Sequence, residues 1–222
     1  MMNTFAFVIY PYLALTAFVV GHIYRYRSDR LTWNAKSSQF LETGTLPVGV
    51  TLFHYGIILA LLGHAGGLLI PQRIYDAMGI SGHSHTLIAY YAGLLVGNPA
   101  FIGILLLLYR RVARTRIRVT TTMNDFATLG LLFLTVGTGL YNVLFGHYEV
   151  LYTVAPWLRG ILTLTPDPEL MRNVPPTYKT HIVSAFTLIG FAPFSRLIHI
   201  WSAPLSYLFR PLVVFRRRNV RA

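Results

Sequence analysis

Charged residues divide this chain into long apolar runs. Uncharged stretches extend from Met1 to Tyr24, Thr43 to Gln72, Ala77 to Tyr109, Phe126 to Tyr148 and Thr180 to Ser195, the last resuming after Arg196 as far as Phe209. A helix needs roughly 20 mainly apolar residues to cross a bilayer, and each stretch supplies about that many. The pattern predicts an all-α integral membrane bundle of five transmembrane helices, near residues 5–24, 48–70, 86–108, 126–144 and 181–200. Residues 1–222 read as one membrane domain, without an internal repeat. Asn98-Pro99 predicts a kink in the third span. The long connection Glu149–Lys179 is proline-rich but carries Trp157, Leu158, Ile161 and Leu162, which predict a piece that folds back onto the bundle.

Composition fits lipid as the solvent. Of 222 residues, 54% are hydrophobic and 12% are charged, about half the charged fraction usual in a soluble domain. Intrinsic disorder is excluded by the abundance of apolar and aromatic residues. The absence of cysteine excludes disulfides, thiolate zinc sites, iron–sulfur clusters and covalently attached c-type haem in this chain.

The formal net charge of +12 fits either nucleic acid or basic cytoplasmic loops, and its placement favours the second. With five spans, Arg25–Lys36, Arg110–Arg118, Arg196 and the tail (Arg210, Arg216, Arg217, Arg218, Arg221) fall on one side, fifteen basic residues in all. Arg73, Arg159, Arg172 and Lys179 make four on the other. The positive-inside rule then puts the N-terminus outside and the C-terminus in the cytoplasm. The charge marks topology, with no nucleic-acid partner. No basic residue precedes the first apolar run, which argues against a cleaved signal peptide.

Four of the eight histidines lie within or at the ends of two spans. Span 2 contains His54 and His64; span 5 opens at His181 and closes near His199. An ionisable residue inside a membrane helix is costly and marks a functional site by default. Two on each of two antiparallel helices define two layers, His64 with His181 and His54 with His199, and point to two bis-histidine haems. Alone, a membrane histidine is more often a hydrogen-bonded packing residue than a metal ligand. Zinc fits poorly, because a tetrahedral site needs its ligands to converge on one point.

Ideal-helix spacing meets the two-layer pattern only in part. Ten residues rise roughly 15 Å and eighteen roughly 27 Å, while the latter complete five turns and the former leave their side chains about 80° apart. Helix tilt, or a kink at Pro193, would absorb the difference. Gly56, Gly63, Gly66 and Gly67 flank the span 2 histidines, and small residues there admit either a flat macrocycle or a neighbouring helix. Arg196, three residues before His199, reads either as a partner for a haem propionate or as a snorkelling cytoplasmic arginine. His22, His83, His85 and His147 read as interfacial or solvated side chains. Ser184 and Tyr55 are candidate hydrogen-bond partners for the ligands.

Several segments carry a family resemblance. Ile9-Tyr-Pro-Tyr12, Trp33-Asn-Ala-Lys-Ser-Ser38, Leu52-Phe-His54 with Gly63-His64, Arg118-Val-Thr-Thr121 and Pro193-Phe-Ser-Arg196-Leu-Ile-His199-Ile-Trp-Ser202 resemble the gamma subunit of respiratory nitrate reductase. The resemblance covers essentially the whole chain. It implies a subunit with two non-covalent b haems that oxidises ubiquinol or menaquinol near the outer face. It implies electron transfer to a cytoplasmic iron–sulfur subunit and a molybdenum-cofactor subunit that reduces nitrate. By this likeness His64 and His181 hold the outer haem, and His54 and His199 the inner one. Some members of the family have a lysine between spans 2 and 3; here Ser81-Gly-His-Ser-His85-Thr86 offers His85 as the quinol contact instead. Two alternatives remain open: a cytochrome b anchor of a related complex, such as one associated with sulfite reduction, and a haem-free membrane carrier or anchor.

Overall fold

Among the described residues, four helices are long and apolar enough to cross a membrane: α1 (Phe5–Ser28), α2 (Leu46–Leu69), α3 (Gly82–Ala113) and α4 (Met123–Gly146). They match the first four predicted spans, each running beyond the expected boundary at one end or both. The structure is a computed structural model that describes residues 2–29, 41 and 44–202, and no strand occurs among the described residues. The Trp33–Ser38 motif and the basic tail from Arg210 onward lie outside them. The outward surface of the helices is apolar, with Leu13, Val20, Leu62 and Leu95 among the exposed side chains, as befits segments whose backbone bonds are satisfied internally and whose side chains meet lipid.

Two further helices complete the frame: α5 (Val154–Leu162) and α6 (Pro176–Phe191). α2 packs most extensively on α3, α3 on α4, and α6 on both α4 and α1. Glycine sets the closest of these approaches. A Cβ on Gly56 would lie 2.6 Å from the Ala100 nitrogen, and one on Gly103 would lie 2.4 Å from the Phe53 nitrogen. Phe53, Ala100, Ile104, Leu132 and Val136 fill the resulting core between α2, α3 and α4. α3 runs as one helix through Pro99.

As the pattern predicts, the long connection returns to the bundle. Trp157 and Ile161 of α5 are buried beside Phe7 and Phe186, while Leu162 is exposed. Trp157 donates from Nε1 to the Phe7 carbonyl at 2.7 Å, and Arg159 donates from Nη1 to the carbonyls of Leu68 and Ile70 at 2.9 and 3.2 Å. α5 therefore closes one end of the bundle. At that same end α1, α2 and α4 each contain a five-residue π-helical stretch: Phe5–Ile9, Ala65–Leu69 and Asn142–Gly146. Such wide turns displace carbonyls from the regular ladder and are frequent at functional sites.

The fifth predicted span departs from expectation. It is not one helix over 181–200: α6 ends at Phe191, and 3₁₀ turns follow at Ala192–Phe194 and Arg196–Ile198, with a last helical turn at His199–Ser202. The cause is Pro193, which offers no N–H and whose ring conflicts with the carbonyl four residues earlier. Ser195 is extended (φ −122°, ψ −179°). Five whole turns therefore do not separate His181 from His199, and the single-face inference from an unbroken helix does not apply. Side chains from elsewhere take up carbonyls around the break: Arg25 Nη1 donates to Pro193 at 2.9 Å, and Asn124 Nδ2 donates to Phe194 at 2.7 Å.

Candidate functional site

The four span histidines meet in the two expected pairs. The rings of His64 and His181 have centroids 6.0 Å apart and planes inclined by 24°. Those of His54 and His199 are 5.9 Å apart and inclined by 63°. The break after α6 lets both pairs form despite the unequal spacing along the two chain segments. Among the described residues, no three metal-binding side chains gather at one point; the histidines come in twos.

Hydrogen bonding fixes the tautomer of each ring. Nδ1 of His54 lies 2.8 Å from the Val50 carbonyl, and Nδ1 of His64 lies 2.7 Å from that of Ala60. Nδ1 of His181 lies 2.9 Å from the Thr135 carbonyl, and Nδ1 of His199 lies 2.6 Å from that of Arg196. A carbonyl only accepts, so Nδ1 carries the proton in all four and Nε2 carries the lone pair. An imidazole oriented in this way through its other nitrogen is the usual form of a metal ligand.

The separations also suit a metal between the rings. A midpoint lies about 3 Å from each centroid, which accommodates a metal–nitrogen bond of about 2.0 Å plus the ~1.1 Å from nitrogen to ring centre. Histidine imidazole is among the ligands that hold haem iron. Space for a flat group is present at the His64 end, where a Cβ on Gly63 or Gly66 would meet nothing within 4 Å. His64 itself is exposed, an expensive state for a histidine in a membrane helix unless another group covers it. The residues present thus fit two bis-histidine haems.

Sequence reasoning did not find the groups that support these imidazoles. Gly139 allows His181 to approach the α4 backbone, since a Cβ there would lie 3.0 Å from its Cε1. Ser184 does not bond the imidazole: it accepts from Thr135 Oγ1 at 3.1 Å and donates to the His181 carbonyl at 2.9 Å. Tyr55 is 69% exposed on the outward surface.

At the other end, Arg196 has a partner that the sequence reading did not name. Buried Asp125 accepts from its Nε and, at 2.9 Å, from its Nη2. Arg111 approaches the same carboxylate at 3.4 Å. Thr122 and Asp125 close a capping box at the start of α4, a Thr-x-x-Asp pattern that is a readable helix-start signal.

The other histidines differ among themselves. His83 and His147 are exposed and His22 is half-buried against Phe18 and Trp201. His85 is buried, which corrects its reading as a solvated or interfacial side chain. It donates from Nε2 to the Gly67 carbonyl at 3.1 Å, and its Nδ1 is buried with no hydrogen-bond partner. Tyr75 packs edge-on against its ring and donates to the neighbouring Gly66 carbonyl.

Comparison with known proteins agrees with the resemblance drawn from the motifs. Residues 3–218 match the family described as nitrate reductase gamma subunit. The chain is 42% identical over 215 residues to the nitrate reductase gamma chain of Bacillus subtilis (strain 168), covering 95% of this chain and 96% of that one. It is 34% identical over 223 residues to the respiratory nitrate reductase 1 gamma chain of Escherichia coli (strain K12), covering 98% and 99%. It is also 34% identical over 225 residues to the nitrate reductase-like protein NarX of Mycobacterium tuberculosis (strain CDC 1551 / Oshkosh), covering 99% of this chain and 34% of that protein. With its apolar helices and this match along nearly its whole length, the chain is a multi-pass membrane protein that belongs to the nitrate reductase gamma subunit family.

Proposed function

We propose that this chain is the quinol-oxidising di-haem cytochrome b subunit of a respiratory nitrate reductase. The observation that carries the reading is the pairing of four histidines, each presenting Nε2 as its lone-pair nitrogen, at ring separations of 6.0 and 5.9 Å. His64 and His181 would hold an outer haem and His54 and His199 an inner one, with Gly63 leaving room at the outer site. Two b haems at these positions would supply one-electron transfer between the two ends of the bundle.

The protein's own residues account for binding and protons. The segment from α6 to Ser202 serves as the fifth span, and the split of basic residues puts the His64 end outside the cell membrane. There the lone pair on His85 Nδ1 offers an acceptor for a quinol hydroxyl. Oxidation of one quinol to quinone yields two electrons and two protons, and at this end the protons leave outside. The electrons leave at the opposite face to an iron–sulfur subunit and then a molybdenum-cofactor subunit, where nitrate is reduced. The Arg111–Asp125–Arg196 group joins two cations to one carboxylate, and its residual positive charge suits the propionates of the inner haem.

The test is an absorption spectrum of the purified complex after dithionite reduction, with haem counted per gamma chain. Low-spin b-type bands and two haems are expected. His64→Ala and His181→Ala each leave one haem and stop quinol-driven nitrate reduction, while an artificial donor to the cytoplasmic subunits still supports it. A haem-free preparation with quinol activity would sink the proposal.

A further inference from the structure

The break after α6 leaves His199 on a short turn, outside any long helix, yet its ring is placed opposite His54. Three side chains from two other helices hold the intervening segment: Arg25 at the Pro193 carbonyl, Asn124 at the Phe194 carbonyl and Asp125 at the Arg196 guanidinium. The last contact reaches His199 most directly, because the Arg196 carbonyl accepts the bond from His199 Nδ1. Asp125 is itself immobilised. It is buried, accepts from the Thr122 backbone nitrogen at 3.0 Å, and caps a membrane helix whose N-terminus favours an anion.

We propose that Asp125, assisted by Asn124, is a positioning residue for His199: by fixing Arg196 it fixes the carbonyl that sets the tilt and tautomer of that imidazole. This rests on the cytochrome reading, and it adds a residue on α4 that touches neither ring. A helix gives the carbonyl four residues earlier to a histidine by default, as Val50 serves His54 and Ala60 serves His64. His199 has behind it only the single 3₁₀ turn Arg196–Ile198, whose Arg196 carbonyl, three residues earlier, is its acceptor, so the placement of that short turn depends on the side chains that grip it from outside.

The test uses the intact complex carrying Asp125→Asn, Asp125→Glu and the milder Asn124→Ala. Redox titration of the two haems is read beside the low-spin ferric resonance spectrum, each haem assigned beforehand from His54→Ala and His64→Ala. Asp125→Asn is expected to shift the potential and the g values of the His54–His199 haem alone, Asn124→Ala to shift them less, and Asp125→Glu to restore them in part. Unchanged potentials and spectra in both Asp125→Asn and Asn124→Ala would overturn the proposal. Loss of both haems together in both variants would also overturn it, by assigning these residues to the stability of the whole bundle. The unsubstituted complex separates the two readings: if it lacks haem the cytochrome reading fails, and if it holds two haems any failure above belongs to Asp125.

Discussion

His64 and His181 stack nearly parallel, with planes 24° apart, whereas His54 and His199 are inclined by 63°. Parallel axial imidazoles donate into the same iron d orbital and split it from its partner; imidazoles nearer perpendicular donate into both alike. On the di-haem reading, two distinct low-spin ferric signals are therefore expected, with the more anisotropic, higher g maximum belonging to the haem that His54 and His199 would hold. Electron paramagnetic resonance of the oxidised complex reads this directly, and His54→Ala must remove the more anisotropic signal.

Gly139 supplies a second, local prediction. A Cβ at that position would lie 3.0 Å from Cε1 and 3.3 Å from Nδ1 of His181. Gly139→Ala must push the imidazole away from α4 and lengthen its bond to the Thr135 carbonyl. The outer haem is expected to change in spectrum or occupancy while the inner one does not. Equal change at both sites would mean that the glycine acts on helix packing in general.

The first four spans, the returning connection and the four paired histidines were legible in the sequence, because charge-free length and histidine placement leave direct marks on it. The groups that orient the histidines were not. Their acceptors are the backbone carbonyls of Val50, Ala60, Thr135 and Arg196, and a carbonyl is present at every residue. Pro193 could be read as a kink, yet the extended Ser195 and the grip of Asn124 and Asp125 on the break are tertiary facts. Asp125 gave only a local signal, the Thr122 capping box, with nothing to connect it to Arg196 across 71 residues.

Glycines beside the two α2 histidines should respond in different ways, Gly56 next to His54 and Gly63 next to His64. Gly56→Ala forces a Cβ to 2.6 Å from the Ala100 backbone nitrogen, an overpacking that costs on the order of 1–3 kcal/mol. A Cβ on Gly63 meets nothing within 4 Å, so Gly63→Ala leaves helix packing intact and acts only on what occupies that space. Thermal unfolding in detergent should fall for Gly56→Ala alone, while Gly63→Ala lowers outer-haem occupancy. A stability loss of equal size in both would contradict the open space assigned beside His64.

Arg159 ties α5 to the end of α2 through two carbonyls, those of Leu68 and Ile70. Its removal leaves both acceptors without that donor, and hydrogen bonds to charged groups are worth roughly 1.5–3 kcal/mol each. Arg159→Met retains much of the aliphatic stem and is expected to lower stability by about 2 kcal/mol. It should also raise amide hydrogen exchange in the π-helical stretch Ala65–Leu69 before the rest of α2. Protection there equal to that of the unsubstituted chain would show that the cap does not hold this end.

His85 provides the sharpest separation of quinol chemistry from haem binding. Its ring is held by the Gly67 carbonyl, and its buried Nδ1 remains as an acceptor. His85→Phe keeps an aromatic ring against Tyr75 but removes both functions; His85→Gln keeps a donor for Gly67 and an acceptor beside it. A positioned proton acceptor contributes typically about 10²–10⁴-fold to rate. Quinol-driven turnover in His85→Phe is therefore expected to fall by about 10²-fold or more, with partial recovery in His85→Gln. Haem content and nitrate reduction from an artificial donor stay unchanged in both. Full quinol activity in the Phe variant would remove His85 from the site and return it to a packing role between α3 and the end of α2.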